Sequence, residues 1–488
     1  MNNQNKFLIV LVGIASGLIL ASKPDVVQAH GFSDPYDLPV PFSFYMFGAA
    51  FTIVLSFLVF GYFFRRMPVQ TNNTRFSLQI QFTEQNRLYR LFIGCIKVSS
   101  VLIFILCILT GLFGAQTSTD NFTPTMVWII FWVGMYFISA LIGNLWPIVN
   151  PWLILYEMFS FICRRFCKNS LHPRTHRYPN HWLFWPAIIS LIAFAWMEII
   201  YPSSFVPRHL SIMILIYSIF TWGGMWYFGK SPWTKYGEFF SVAFSTIAKL
   251  SPVQVQRVSP DNPNSYLKKL VVRPHGSSLF AHETLELSKT LFILVLLGTV
   301  TFDGLSTTPI WENILTYLTP LLKDIVLIHT LGYLILIILF ASVYFGVCRL
   351  MILASGEKSD TAKISEGFIY SLVPIAIAYH IAHYTSFMLI QGQLIIPLIS
   401  DPFGFKWDIL GTANYEVYTG IINAQFIWYL SIIVIVIGHM LAVFISHFQS
   451  VSLFSNSRAA MKSQLPMLIL MVGYTMVSLW IISQPIIK

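Results

Sequence analysis

Long apolar blocks separated by short polar connections run along most of this chain. A helix needs roughly 20 mostly apolar residues to cross about 30 Å of hydrocarbon. Ten segments meet or approach that length, near Phe42–Phe63, Leu91–Phe113, Thr125–Trp146, Leu183–Tyr201, Leu210–Phe228, Thr290–Leu305, Ile325–Leu350, Phe368–Ile390, Phe426–Phe448 and Leu465–Ile482. The pattern predicts an all-α, polytopic membrane helix bundle. Ahead of it, MNNQNK and the run Phe7–Leu20 read as the first two regions of a signal peptide, with Val27 and Ala29 small enough for a cleavage site. Residues 1–29 are then a removable leader, and 30–488 form one integral-membrane domain beginning at His30.

Charge adds an orientation. Alternate loops hold Arg65, Arg66, Arg75, Arg87 and Arg90, then Arg164, Arg165, Lys168, Arg174 and Arg177. They continue with Lys230, Lys235, Lys249, Arg257, Lys268, Lys269 and Arg273, then Arg349, Lys358 and Lys363, then Arg458 and Lys462. The opposite loops and the C-terminus hold Arg208, Lys323, Lys406 and Lys488, so the count is 22 against 4. Positive residues stay on the cytoplasmic side, which predicts a cell-membrane protein with both mature termini extracytoplasmic. The net charge of +10 is therefore a topology signal with anionic-lipid contact, and it gives no support to nucleic-acid binding. Only 10% of residues are charged, against about 25% in soluble chains. The five cysteines fall in apolar runs or beside arginines and imply no disulfide framework. Cys163 and Cys167 share helical spacing but lack further zinc ligands nearby, so they read as buried thiols.

One short repeat is visible: NPWLILYEMFS from Asn150 and SPWTKYGEFFS from Ser231. Proline suits a helix start and tryptophan the headgroup level, so each copy reads as an interfacial helix. The competing reading is a re-entrant element of a transporter, a fold class often built from repeats. The loop 251–286 contains SPDNPNSYLKK and reads as a flexible cytoplasmic insertion. No P-loop, dinucleotide fingerprint or nucleophile elbow occurs.

Ionisable residues inside spans are costly and mark function by default. His329 lies near the outer end of the seventh segment, His380 and His383 in the eighth, and His439 in the ninth. At 1.5 Å per residue, His380 lies about 17 Å below Gln391 and His439 about 21 Å below Gln425, near the midplane. His380 and His383 share a helix face, and Pro374 is expected to kink that helix. Two carboxylates, Glu198 and Asp303, end the fourth and sixth segments. Imidazole suits copper, zinc, iron and nickel, and a mature N-terminal His30 would offer an amine and a ring nitrogen suited to copper. These residues therefore predict a metal site open to the extracytoplasmic side: His30, His329, His380, His383 and His439 as ligands, copper favoured over zinc. Alternatively, the histidines simply hydrogen-bond between helices, or His380 and His439 hold a haem.

The strings HGFSDPYDLPVPFSF, NLWPIVNPW, FDGLSTTPIW and AYHIAHY resemble a family of bacterial multi-pass membrane proteins labelled fenitrothion hydrolase. The resemblance runs from His30 to the ninth segment and implies hydrolysis of an organophosphorus-type ester. On that reading a metal held by His380 and His383 activates water, and Asp303 or Glu198 acts as general base. The partners are the lipid bilayer and either an apolar small molecule or a metal ion. A transporter for a metal ion or small solute, or a haem-bearing electron carrier, are the alternatives.

Overall fold

Each apolar block becomes a helix. The computed structural model describes residues 38–63, 78–83, 86–166, 176–257, 267–280 and 286–484. The leader, its cleavage site and His30 lie outside the described residues. The membrane helices are α1 (Phe42–Phe63), α2 (Arg87–Phe113), α3 (Phe122–Leu141), α4 (Trp185–Ile199) and α5 (Pro207–Phe228). They continue as α6 (Leu287–Ser306), α7 (Ile325–Ser355), α8 (Val373–Ile390), α9 (Ala424–Leu453) and α10 (Ser457–Ser483). Local chemistry sets several starts. The side chains of Asn86, Asp324, Asn423 and Asn456 accept the first free backbone N–H groups of α2, α7, α9 and α10.

Among the described residues, 9 helical segments are long and apolar enough to cross a membrane, and the chain is a multi-pass membrane protein. The expected tenth, α4, has 15 residues, or about 22 Å of rise. It nevertheless joins the two faces of the bundle. Beyond its C-terminal end, the Arg208 amide donates to Gln116 in the loop after α2, and Trp128 near the start of α3 donates to the Ser204 carbonyl. The same face carries the bonds from Ala115 to Phe403 and from Phe122 to Pro402. The other face carries a small sheet, and there the Val253 amide donates to Ile142 and the Ser455 amide to Glu357. Loops that should lie on one side by alternation do meet there.

The sheet corrects the reading of 251–286 as a structureless insertion. Strands β1 (Leu78–Thr83), β2 (Val253–Arg257) and β3 (Leu267–Val272) pair antiparallel in the order β1-β3-β2. Leu78 and Val253 both align with Val272. One strand thus comes from the loop after α1 and two from the insertion.

Helix α6 and the stretch Thr361–Ser400, which includes α8, form the centre, each with 83% of its apolar window buried, against 6% for the lipid-facing α2. Pro374 stands where this stretch passes from one helix to the next. It sits in the first turn of α8, after a short 3₁₀ turn Ile369–Leu372, where a missing N–H costs nothing. Gly438 lets α9 lie against α8: a Cβ there would come within 2.4 Å of the Ala378 Cβ and 2.9 Å of the Pro374 carbonyl.

The two copies of the Pro-Trp repeat differ, and neither tryptophan lies on the protein surface. Trp152 and Trp233 are both buried. The first copy starts helix Pro151–Phe166 deep in the bundle, with the Trp152 indole donating to Ser218, halfway along α5, at 2.8 Å. The second copy turns at Glu238 into a nine-residue helix, Phe239–Ile247, that is almost wholly buried. Glu238 meets α5 at the same middle level, accepting from Tyr217 at 2.6 Å. It also accepts from the Trp146 indole (3.1 Å), Asn150 (3.3 Å), the amides of Phe240 and Ser241, and the Ser241 hydroxyl. The chain between α5 and the sheet is therefore a re-entrant hairpin. Its turn is held by a carboxylate whose donors come from three segments.

Candidate functional site

Asp303 sits one turn before the C-terminal end of α6, and α8 presents His383 and Tyr384 to it. Both groups donate to one oxygen: His383 Nε2 lies 3.0 Å from Asp303 Oδ2, and the Tyr384 hydroxyl bonds the same atom. A carboxylate only accepts, so the network assigns the His383 proton to Nε2 and leaves Nδ1 as a lone pair. Nδ1 has no hydrogen-bond partner among the described residues, and it is not sealed from the surrounding space. The side chains of His383 and Asp303 keep 21% and 20% of their surface accessible, although both belong to the centre of the bundle. This is an open acid–base pair.

Glu198, at the end of α4, lies within electrostatic reach of Asp303 and close to the Trp132 indole. Trp132 belongs to a π-helical stretch of α3, Thr125–Val133. Such stretches re-aim side chains relative to a regular helix and concentrate at functional sites. Here the stretch turns Trp132 and, one turn later, Tyr136 toward α8. His380 is buried with its ring stacked on Tyr136, centroids 3.6 Å apart at 17°. Its other close ring is Tyr384, at 4.5 Å. Beside Trp132 lies an aromatic cluster: Trp132 lies 4.8 Å from Phe194, which packs against Phe240 of the re-entrant helix at 5.4 Å, and Phe131 lies 4.9 Å from Phe240. A separate cavity of about 600 Å³, bordered by His176, Lys230 and Tyr236, lies at the sheet ends of α4 and α5, away from this cluster.

The structure brings Glu198, Asp303 and His383 together, with His380 as a neighbour through Tyr384. It does not bring the expected ligands around one point. His329 accepts from the Trp311 indole at 3.2 Å. His439 donates through Nδ1 to the Ile435 carbonyl one turn back at 2.8 Å, and its ring lies beside Tyr474. A metal centre needs three or four converging donors. Among the described residues no group of three His, Cys, Asp or Glu side chains forms one. The donor set described does not fit a resident metal ion, and no step below is routed through one.

Tyr384, Trp132 and Tyr136 were not singled out by sequence. Tyr384 stood in the quoted string AYHIAHY, one position after His383, but a tyrosine in an apolar span usually signals packing alone. No family model, curated protein or solved structure matches this chain.

Proposed function

We propose that the protein is a membrane-embedded hydrolase in which His383 acts as general base on an apolar ester, the organophosphorus class that the sequence resemblance suggests. The observation that carries this reading is the sharing of Asp303 Oδ2 by His383 and Tyr384. That arrangement fixes the imidazole tautomer and leaves Nδ1 free, the role an orienting carboxylate plays in acyl-transfer triads. Water bound at Nδ1 gives up a proton to it as the water oxygen bonds to phosphorus. The bond from phosphorus to the aryl oxygen breaks, and the aryloxide carries away the electron pair. Glu198 offers a nearby second acceptor for the proton. An apolar triester partitions into lipid and reaches the pocket from the bilayer. The excess of Lys and Arg on the sheet side supports placing that side in the cytoplasm and the pocket on the extracytoplasmic side.

The test is release of nitrophenolate from a nitrophenyl phosphorothioate triester by the full-length protein in lipid nanodiscs. Turnover that falls at least 100-fold in His383→Ala, persists in His329→Ala and survives chelator treatment supports the reading. Absence of turnover, or equal rates in the two variants, removes it.

A second reading, transport, is favoured by one observation: the re-entrant helix Phe239–Ile247 lies at mid-membrane depth, as the broken helices of transporters do. Zinc or copper(I) uptake into proteoliposomes, without ester turnover, selects it.

A further inference from the structure

The three-stranded sheet has a sided chemistry that the acid–base pocket does not use. Register places Leu78 beside Val272 and Val253 in one cross-strand row, and Ile80 beside Leu270 and Val255 in the next. Six apolar residues therefore occupy one face, since side chains alternate along a strand. The intervening row is Gln79, Val271 and Gln254. Val271, at the centre of that second face, is 6% exposed, so protein covers it. The apolar face is the outward one: Leu78, Ile80 and Val255 are 64%, 51% and 50% exposed. Soluble sheets bury such a face and put glutamines outside. This one is inverted.

Three facts on the molecule say what meets it. First, its height is fixed. The Val253 amide donates to the Ile142 carbonyl at 3.2 Å, and Gly143 bridges Val253, so the sheet hangs directly from the last turn of α3. Second, three strands spaced about 4.8 Å apart and about 17 Å long make a patch that fits within the headgroup layer beside the bundle. Third, the sequence around the strands carries cations: Arg65, Arg66 and Arg75 precede β1, and Lys268, Lys269 and Arg273 lie in and after β3. An exposed apolar surface within a cation-rich stretch of sequence matches an anionic bilayer in chemistry.

We infer that the sheet is a membrane-surface anchor, lying with its Ile80 face against the headgroup and acyl boundary of an anionic leaflet. This inference is independent of the hydrolase reading. It also gives the loops after α1 and after Phe239–Ile247 a common function. They clamp the C-terminal end of the helix Phe239–Ile247 to the bilayer surface.

Site-directed spin labelling tests it. Labels go on Ile80→Cys, Val255→Cys and Gln79→Cys, with the native cysteines Cys95, Cys163 and Cys167 replaced by serine. The protein is reconstituted in vesicles of phosphatidylcholine alone or with a third phosphatidylglycerol. Oxygen concentrates in lipid and a nickel chelate in water. The expected result is that positions 80 and 255 relax faster with oxygen than with nickel in the anionic vesicles, that position 79 does the reverse, and that the preference at 80 weakens severalfold without phosphatidylglycerol. Greater nickel access at positions 80 and 255 in both vesicles overturns the inference. So does protection of both positions from both reagents, which identifies a protein partner or a second copy instead.

Discussion

Replacing Asp303 by asparagine isolates the charge on which the proposed base depends. Asparagine is nearly isosteric and can present its carbonyl where Oδ2 now lies, 3.0 Å from His383 Nε2, so both donors keep an acceptor. Only the ionic character of the two bonds is lost. A hydrogen bond to a charged group is worth about 1.5–3 kcal/mol and a neutral one about 1 kcal/mol. Each bond therefore loses about 1 kcal/mol, and the pair about 2 kcal/mol. At 1.36 kcal/mol per factor of ten, that is roughly 30-fold. The loss is expected in kcat rather than KM, because Asp303 steadies the imidazolium that forms as water is deprotonated and is not placed to bind the ester itself. Asp303→Leu removes the acceptor altogether, leaves His383 Nε2 and the Tyr384 hydroxyl without their partner, and is expected to lower both activity and thermal stability. Nitrophenolate release in nanodiscs reads the rate, and the unfolding midpoint in the same preparation reads the fold. If Asp303→Asn keeps its midpoint and turns over within twofold of the parent, Asp303 does not orient the base and the proposed chemistry is refuted.

Three further outcomes follow from the packing and the loops. Glu238→Ala leaves the Trp146 indole, the Asn150 amide and the Tyr217 hydroxyl without their acceptor, a cost of about 3–5 kcal/mol. By contrast, Glu157→Ala, its counterpart in the repeat, breaks half-exposed pairs with Lys230 and Lys97 and costs about 1 kcal/mol or less; equal shifts in the two unfolding midpoints would contradict the unequal depths. Gly438→Val drives a side chain into Ala378 and the Pro374 backbone and destabilises by about 1–3 kcal/mol, whereas Gly473→Val, with nothing within 4 Å of its Cβ, serves as the neutral comparison. Asp408, in the loop after Ser400, accepts from the Ala413 amide at 3.1 Å and the Ser400 hydroxyl at 2.8 Å, and these bonds hold its carboxyl below the usual aspartate range. Because the folded value is the lower one, the loop's extra stability is present above the ordinary value of about 3.9 and fades as pH falls through the folded value. Amide exchange at Ala413, corrected for intrinsic rate, should accelerate between pH 5 and pH 3, and in Asp408→Asn it should not.

What the sequence could and could not say follows from the range of each interaction. A membrane helix is specified within its own 20 or so residues, because lipid forces every backbone group to be satisfied inside the segment. The blocks were therefore legible one by one, including α4, which is shorter than the bilayer core. The sheet was missed although LQIQF and VQVQR alternate strictly between apolar residues and glutamine; that period of two is a strand signal, overlooked because the bundle left no reason to seek strands in its loops. Site chemistry was half legible. The cost of charge in hydrocarbon marks Asp303 and His383 separately, but their contact spans 80 positions, and nothing local encodes it. The expected convergence of histidines failed for the same reason: His329 takes the Trp311 indole, His439 bonds the Ile435 carbonyl through Nδ1 and His380 stacks on Tyr136, while the Nε2 atoms of His380 and His439 keep no hydrogen-bond partner among the described residues. Successive residues on a helix point about 100° apart. His383 and Tyr384 reach one oxygen only because α6 delivers Asp303 between their two directions. The decisive feature of the pocket is thus the rotation of two helices about their axes, set by packing of their buried faces rather than by any string of residues. A variant that rotates α8 while leaving Asp303, His383 and Tyr384 unchanged should lose the pair as completely as a substitution within it.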